Sequence, residues 1–269
     1  MPLIHIDGPT DPRIATYRSV SDAELLRRHG LFVAEGRLVV RRAIEDRFQL
    51  NSVLINETNH RALADALAAV SPDVPVFVCE TQDFQGITGF NVHRGCLALV
   101  ERPPAAASCE ILRSARTLVV LEAATNADNV GGIFRNAAAF GVDGVLVSPT
   151  CCDPFYRKAI RTSMGATMRV PFARLEDWPT GLADVRATGF TLVALSPRQS
   201  SLTLDEFAES GRPARMALLL GTEGDGLSDA ALSAADLSIT IPMSGLVDSL
   251  NMAVACGIAL SRLSDTGRL

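Results

Sequence analysis

In the second half of the chain, hydrophobic positions come in short unbroken runs of β-branched and Leu residues, separated by stretches with helical spacing. The runs predict strands over 117–122, 142–148, 190–195, 215–220 and 237–241. Helices are predicted over 129–140, 155–164, 181–188, 204–210 and 249–263, with a short one after Ser228. Strands that are apolar throughout are buried on both faces, and with helices between them they form a parallel sheet. The first half alternates less regularly. Ser21 and Glu24 have the spacing of a capping box and open a short helical piece. Helices then follow over 35–47, 61–70 and 81–86, and strands over 52–55, 74–78 and 96–101. Between the halves, residues 103–110 carry two prolines and three alanines without apolar periodicity, the composition of a linker. It divides the chain into a small α/β domain over 1–102 and a larger one over 111–269.

Parallel sheets bind ligands beyond the carboxyl ends of their strands. The loops after Glu122, Leu220 and Ile241 are therefore the places to search. The first crowds Asn126, Asp128 and Asn129 into one turn before Gly131 and Gly132, although a helix needs only one cap. Arg135 follows one turn into that helix, among small residues, where it can reach an anion at the loop. The second loop, LLLGTEGDGLS, places Gly221, Gly224 and Gly226 around the carboxylates of Glu223 and Asp225. That spacing is not GxGxxG, and it follows a late strand, which excludes the usual dinucleotide-binding fingerprint. In the third loop Pro242 ends the strand, Gly245 bends the chain, and Ser249 is expected to cap the last helix with Asn251 in its first turn.

Composition narrows the choice of chemistry. A chain of 269 residues, 48% hydrophobic, can bury a core in one large or two ordinary domains. Its six cysteines and four histidines are scattered with no CxxC pair, so neither a zinc site nor a disulfide framework is expected, and no metal. No apolar run reaches membrane-spanning length. The first residues lack the basic start and apolar run of a signal peptide, and a cytoplasmic location is expected. Net charge is −5, yet Arg157, Lys158, Arg161 and Arg169 concentrate positive charge in one span. Such a patch suits phosphate contact, and equally reads as a solvated helix face.

The three loops resemble the three motifs of the SpoU/TrmH class of RNA ribose 2′-O-methyltransferases, in the SPOUT superfamily. They read NADNVGGIFRNAAAFG (126–141), LLLGTEGDGLS (218–228) and IPMSGLVDSLNMAVACGIAL (241–260). FVAEGRLVVRRAI (32–44) and GFNVHRGCLALVERP (89–103) resemble the ribosomal-protein-like substrate-binding domain often placed ahead of such an enzyme. The resemblance implies an α/β parallel-sheet domain with a deep trefoil knot, a homodimer, and S-adenosylmethionine as cofactor. It implies that Gly221, Thr222, Glu223, Ile241, Met243 and Leu250 hold the cofactor. Asn126, Arg135, Glu223, Ser249 and Asn251 would form the reaction site. Arg94 stands where the family usually has glutamine and is expected, with Arg157, Lys158 and Arg161, to meet RNA. Gly132 and Asn136 replace a more usual alanine and threonine. The extra domain favours rRNA over tRNA as substrate; a tRNA enzyme, or an idle RNA-binding assembly factor of this fold, is the alternative.

Overall fold

Two sheets organise the chain in a computed structural model that describes residues 3–18, 21–88, 95–197 and 202–264. Each sheet belongs to its own unit. One unit comprises Met1–Pro104 with Phe155–Met168, the other Ala105–Pro154 with Arg169–Leu269.

The first unit has strands β1 (Leu3–His5), β2 (Leu31–Glu35), β3 (Leu50–Ile55), β4 (Val76–Val78) and β5 (Cys96–Glu101). Its helices in the leading segment are α1 (Asp22–Glu24), α2 (Arg37–Glu45), α3 (Glu57–Ala62), α4 (Ala64–Leu67) and α5 (Asp83–Thr88). The strand order is β1-β4-β3-β5-β2, parallel from β1 to β3 and antiparallel on both sides of β5. Ser21 caps α1, accepting from the Glu24 N–H as its spacing predicts. Strand β2 was not expected. The predicted helix over 35–47 instead begins at Arg37, because Gly36 at φ 93° turns the chain out of β2. The single helix expected over 61–70 is two shorter ones, separated at Leu63 with φ −111°. Ile14, Leu54, Phe84, Leu97 and Leu99 fill the core of this unit.

The domain boundary expected at 102 lies two residues from the end of this leading segment, but residues 155–168 depart from the expected division. Phe155 stacks on Phe32 with ring centroids 4.7 Å apart. The buried Glu35 carboxylate accepts from Arg157 at 2.5 Å and Arg161 at 3.5 Å. Two of the arginines expected to face RNA thus neutralise a buried carboxylate, whose charge would be costly to bury unpaired. Both sit at helix α8 (Arg157–Thr162), beside the exposed Lys158.

The second unit carries strands β6 (Thr117–Leu121), β7 (Gly144–Val147), β8 (Phe172–Arg174), β9 (Thr191–Leu195), β10 (Leu202–Thr203), β11 (Met216–Leu220) and β12 (Leu237–Thr240). Its helices are α6 (Ser108–Ser114), α7 (Ala127–Ala139), α9 (Gly181–Ala187), α10 (Leu204–Glu209), α11 (Asp229–Ala234) and α12 (Met252–Leu263). All seven strands run parallel in the order β10-β12-β9-β11-β6-β7-β8. The predicted α/β parallel sheet is therefore present, with every residue of β6, β7 and β11 buried. Strands β8 and β10 were too short to stand out as apolar runs. Helix α6 occupies the end of the expected linker. It is held there by packing: Ile111 lies so close to Gly144 that a Cβ on the glycine would sit 2.5 Å from its Cγ2.

Candidate active site

The three loops singled out in the sequence do leave the carboxyl ends of β6, β11 and β12, and side chains join them. Asn251 is the junction. Its Oδ1 accepts from the N–H groups of Ala253 and Val254 at 3.0 and 3.2 Å, capping α12. Its Nδ2 donates to Asn129 Oδ1 at 2.8 Å and to Glu223 Oε1 at 2.5 Å. One amide thus ties the third loop to the first and the second, with its donors and its acceptor all engaged. The expectation for the helix start is corrected here. Asn251, not Ser249, is the cap of α12, and Ser249 lines the cleft described below.

Asn126 spends its side chain on capping α7, accepting from the Asp128 N–H at 2.9 Å. The residue that meets Asn251 is the buried Asn129. Asn129, Gly132 and Asn136 recur at helical spacing along the face of α7 turned to α12. A Cβ on Gly132 would lie 2.7 Å from Ala253 Cβ, and Asn136 Nδ2 donates to Ala253 O at 2.7 Å. The two departures from the family pattern therefore form one close helix contact. Arg135, one residue off this stripe, is exposed and its guanidinium has no partner among the described residues.

In the second loop the glycines make a tight fold rather than a flexible one. Gly226 donates to Thr222 O at 3.0 Å in an antiparallel bridge, with φ 91° at Gly224 and 73° at Gly226. The chain returns so closely that a Cβ on Gly221 would sit 2.0 Å from the Gly226 carbonyl carbon and 2.1 Å from Leu227 N. No side chain fits there. The loop's far end is anchored by Glu122, a buried carboxylate that the sequence reading passed over. It accepts from Trp178 Nε1 at 2.6 Å and from Ser228 N and Oγ, each at 2.8 Å. Only its place at the end of an apolar strand could have marked it.

These folds enclose a cleft lined by Leu195–Pro197 after β9, by residues 220–227, and by Thr240, Ile241, Met243, Ser249, Leu250, Met252 and Ala255. Gly221, Thr222, Glu223, Ile241, Met243 and Leu250, all six expected at the cofactor, line it. Backbone and apolar side chains at the walls, with Glu223 at the rim, suit a ligand having a flat heteroaromatic part and a polar arm. Arg94 lies outside the described residues. Among those residues no group of three or more His, Cys, Asp and Glu is placed to hold a metal ion. Burial pushes the thiols of Cys79, Cys96, Cys152 and Cys256 up to about 12, so none of these is a thiolate nucleophile at neutral pH. No helix among the described residues is long and apolar enough to cross a membrane.

Comparison with known proteins agrees with this geometry. Residues 116–261 match the model of the SpoU rRNA Methylase family. A Mycobacterium tuberculosis (strain H37Rv) protein described as a tRNA/rRNA methyltransferase is 37% identical over 263 residues, 96% of this chain and 91% of its own. The 23S rRNA (guanosine(2553)-2′-O)-methyltransferase of Bacillus subtilis (strain 168) is 22% identical over 258 residues, 96% of this chain and 98% of its own. The AdoMet-bound rRNA methyltransferase of Sinorhizobium meliloti superposes with a TM-score of 0.79 over 97% of each chain at 22% identity, a likeness of fold. Three loops joined by one asparagine at the ends of parallel strands, and the match that spans them, lead to one conclusion: the chain belongs to the SpoU rRNA methylase family.

Proposed function

We propose that the protein is an S-adenosylmethionine-dependent RNA 2′-O-ribose methyltransferase acting on rRNA. The observation that carries the reading is the junction of Asn129, Glu223 and Asn251 beside a cleft whose tightest wall admits only glycine at 221. The residues present fit the cofactor. The tight turn at Gly221–Leu227 exposes backbone groups to an adenosine edge, while Ile241, Met243 and Leu250 offer apolar walls. When bound, the cofactor supplies a methyl group already activated on a sulfonium sulfur.

The protein's own task is to align a ribose hydroxyl with that methyl and to ease the loss of its proton. Alignment alone lowers such barriers by about 7–11 kcal/mol where the orientation is good. Arg135 is the group for the charge that develops on the oxygen. A guanidinium does not act as a base at neutral pH, so its part is to stabilise the alkoxide and clamp a neighbouring phosphate. A phosphate oxygen or water then takes the proton. Asn251 holds Glu223 by Oε1, which leaves Oε2 without a bond from Asn251, and Glu223 and Ser249 both line the cleft.

The proposal includes a homodimer and a trefoil knot. Val254 and Ile258, four residues apart on α12, are 51% and 40% exposed, and Leu246 and Val247 of the third loop are 90% and 56% exposed. A second copy covering them accounts for apolar surface that water disfavours. The knot is supported by β12 lying between β9 and β10 while its outgoing loop returns beside the second loop at the cleft. The preference for rRNA, a cytoplasmic location, and RNA contact by the first unit through Arg94 and Lys158 complete the reading. A filter assay with methyl-labelled cofactor, run on rRNA and tRNA from a strain lacking the protein, tests it. Label on rRNA is expected; label on tRNA alone corrects the substrate, and none on either supports an idle binding factor.

A further inference from the structure

The same parallel strands have a second end, and it carries an unusual charge. Arg113-Ser114-Ala115-Arg116 leads directly into β6, and Arg212-Pro213-Ala214-Arg215 leads directly into β11. These strands are neighbours, and their first residues, Thr117 and Met216, are paired in register. The two Arg-x-Ala-Arg turns therefore lie side by side at the amino edge of the sheet. With Arg262 near the end of α12 they surround an open hollow, of which five lining residues are arginine in a molecule of net charge −5.

The five arginines divide by what they touch. Arg212 donates to Leu263 O at 2.9 Å and to Thr117 Oγ1, and Arg215 to Thr188 O at 2.8 Å and Leu112 O. The Arg215 guanidinium also lies 4.3 Å from the centroid of the Phe190 ring. Carbonyl and ring partners carry no formal charge, so Arg215 is fixed in place without being neutralised. Arg262 is paired with Asp205 at 2.8 Å. Asp143 accepts from the backbone N–H groups of Arg116 and Thr117, both at 2.8 Å. Arg113 and Arg116 are exposed, and their guanidinium groups have no partner among the described residues. Capping helix carbonyls explains Arg212 and Arg215. It leaves Arg113 and Arg116 unexplained.

We infer that this amino edge is a phosphate-binding site, engaged by backbone phosphates of the RNA at a point remote from methyl transfer. Guanidinium groups held in a concave wall offer forked donors matched to phosphate oxygens. The five residues of β11 separate the hollow from the cleft by about 15 Å. A folded RNA reaching both would be gripped at two places on one unit. The inference rests on the proposed RNA substrate only for the source of the phosphate, and the test separates the two.

The double variant Arg113→Gln/Arg116→Gln removes two guanidinium charges that have no partner among the described residues. Cofactor binding by calorimetry, expected unchanged, verifies that the unit is folded. Binding of a labelled RNA hairpin across a salt series reads the site. The magnitude of the slope of log K against log salt is expected to fall by about 1.5, the loss of two phosphate contacts. Inorganic pyrophosphate, titrated separately, is expected to bind the wild type and to bind the variant at least about tenfold more weakly. Pyrophosphate loss with identical RNA slopes keeps the phosphate site but assigns it to free phosphates. A wild type that binds no RNA defeats the proposed substrate, while the pyrophosphate result still decides the site. Equal RNA slopes together with equal pyrophosphate binding overturn the inference.

Discussion

Asn251 shows how much one side chain can be asked to do. Its carbonyl oxygen caps α12 while its amide nitrogen holds Asn129 and Glu223. Asn251→Asp separates these roles, since an aspartate caps as well as asparagine but donates nothing and repels Glu223. The expected result is a melting profile within about 1 kcal/mol of wild type and methyl transfer reduced about 100-fold or more. Equal turnover in a steady-state assay would reduce the residue to a cap. A second comparison separates neighbours. Asn126→Ala should cost about 1 kcal/mol of stability as a lost cap and keep activity, whereas Asn129→Ala should lose activity about as Asn251→Asp does. The sequence made both asparagines visible but did not rank them. Composition cannot say which one faces another helix; the spacing of Asn129 with Gly132 and Asn136 on one face could have. Thiol reactivity gives a separate check on burial. Native protein should be alkylated first at the exposed Cys109, with the buried Cys79, Cys96 and Cys256 reacting only on unfolding, as mass spectrometry of labelled peptides would show.

Elements here are positioned by close approach as much as by hydrophobic burial. Helices α7 and α12 meet where Gly132 faces Ala253, with no room for a further methyl. Gly132→Ala is expected to cost about 1–3 kcal/mol by overpacking. Ala253→Gly in the same chain should recover part of it, and a double-mutant cycle by urea unfolding should show a favourable coupling of about 1–2 kcal/mol. Simple additivity would mean that the helices do not depend on this contact. The long parallel strands were legible because burial on both faces writes itself as an unbroken apolar run. Strands β1, β8 and β10, of two or three residues, were not, because short strands are held by their neighbours rather than by their own pattern. Strand β2 is as long as β6, but its apolar run passes at Gly36 straight into helical spacing. Residues 155–168 misled for a related reason: a helix rich in arginine reads as a solvated face, whereas Arg157 and Arg161 answer a carboxylate on β2 that lies more than a hundred residues earlier.

At the scale of the whole molecule, the sequence carried the class of fold and the location of the cleft, through three loops at predicted strand ends. The proposed knot and homodimer were not readable from periodicity, which describes a segment and not its path past other segments; both rest on the resemblance. The exposed apolar stripe of α12 gives the dimer a test. Val254→Glu with Ile258→Glu should shift sedimentation from dimer to monomer while leaving circular dichroism unchanged, and a wild-type monomer at micromolar concentration would contradict the assembly. The central claim concerns an atom, the ribose 2′ oxygen, and alkaline hydrolysis reads that atom directly because a 2′-O-methyl blocks cleavage of the adjacent phosphodiester. Labelled methyl groups transferred to RNA by the wild-type protein should survive hydrolysis in alkali-resistant dinucleotides, and Arg135→Ala should produce none while still binding cofactor. Label recovered in mononucleotides, as base methylation gives, or undiminished transfer by Arg135→Ala, would contradict the account.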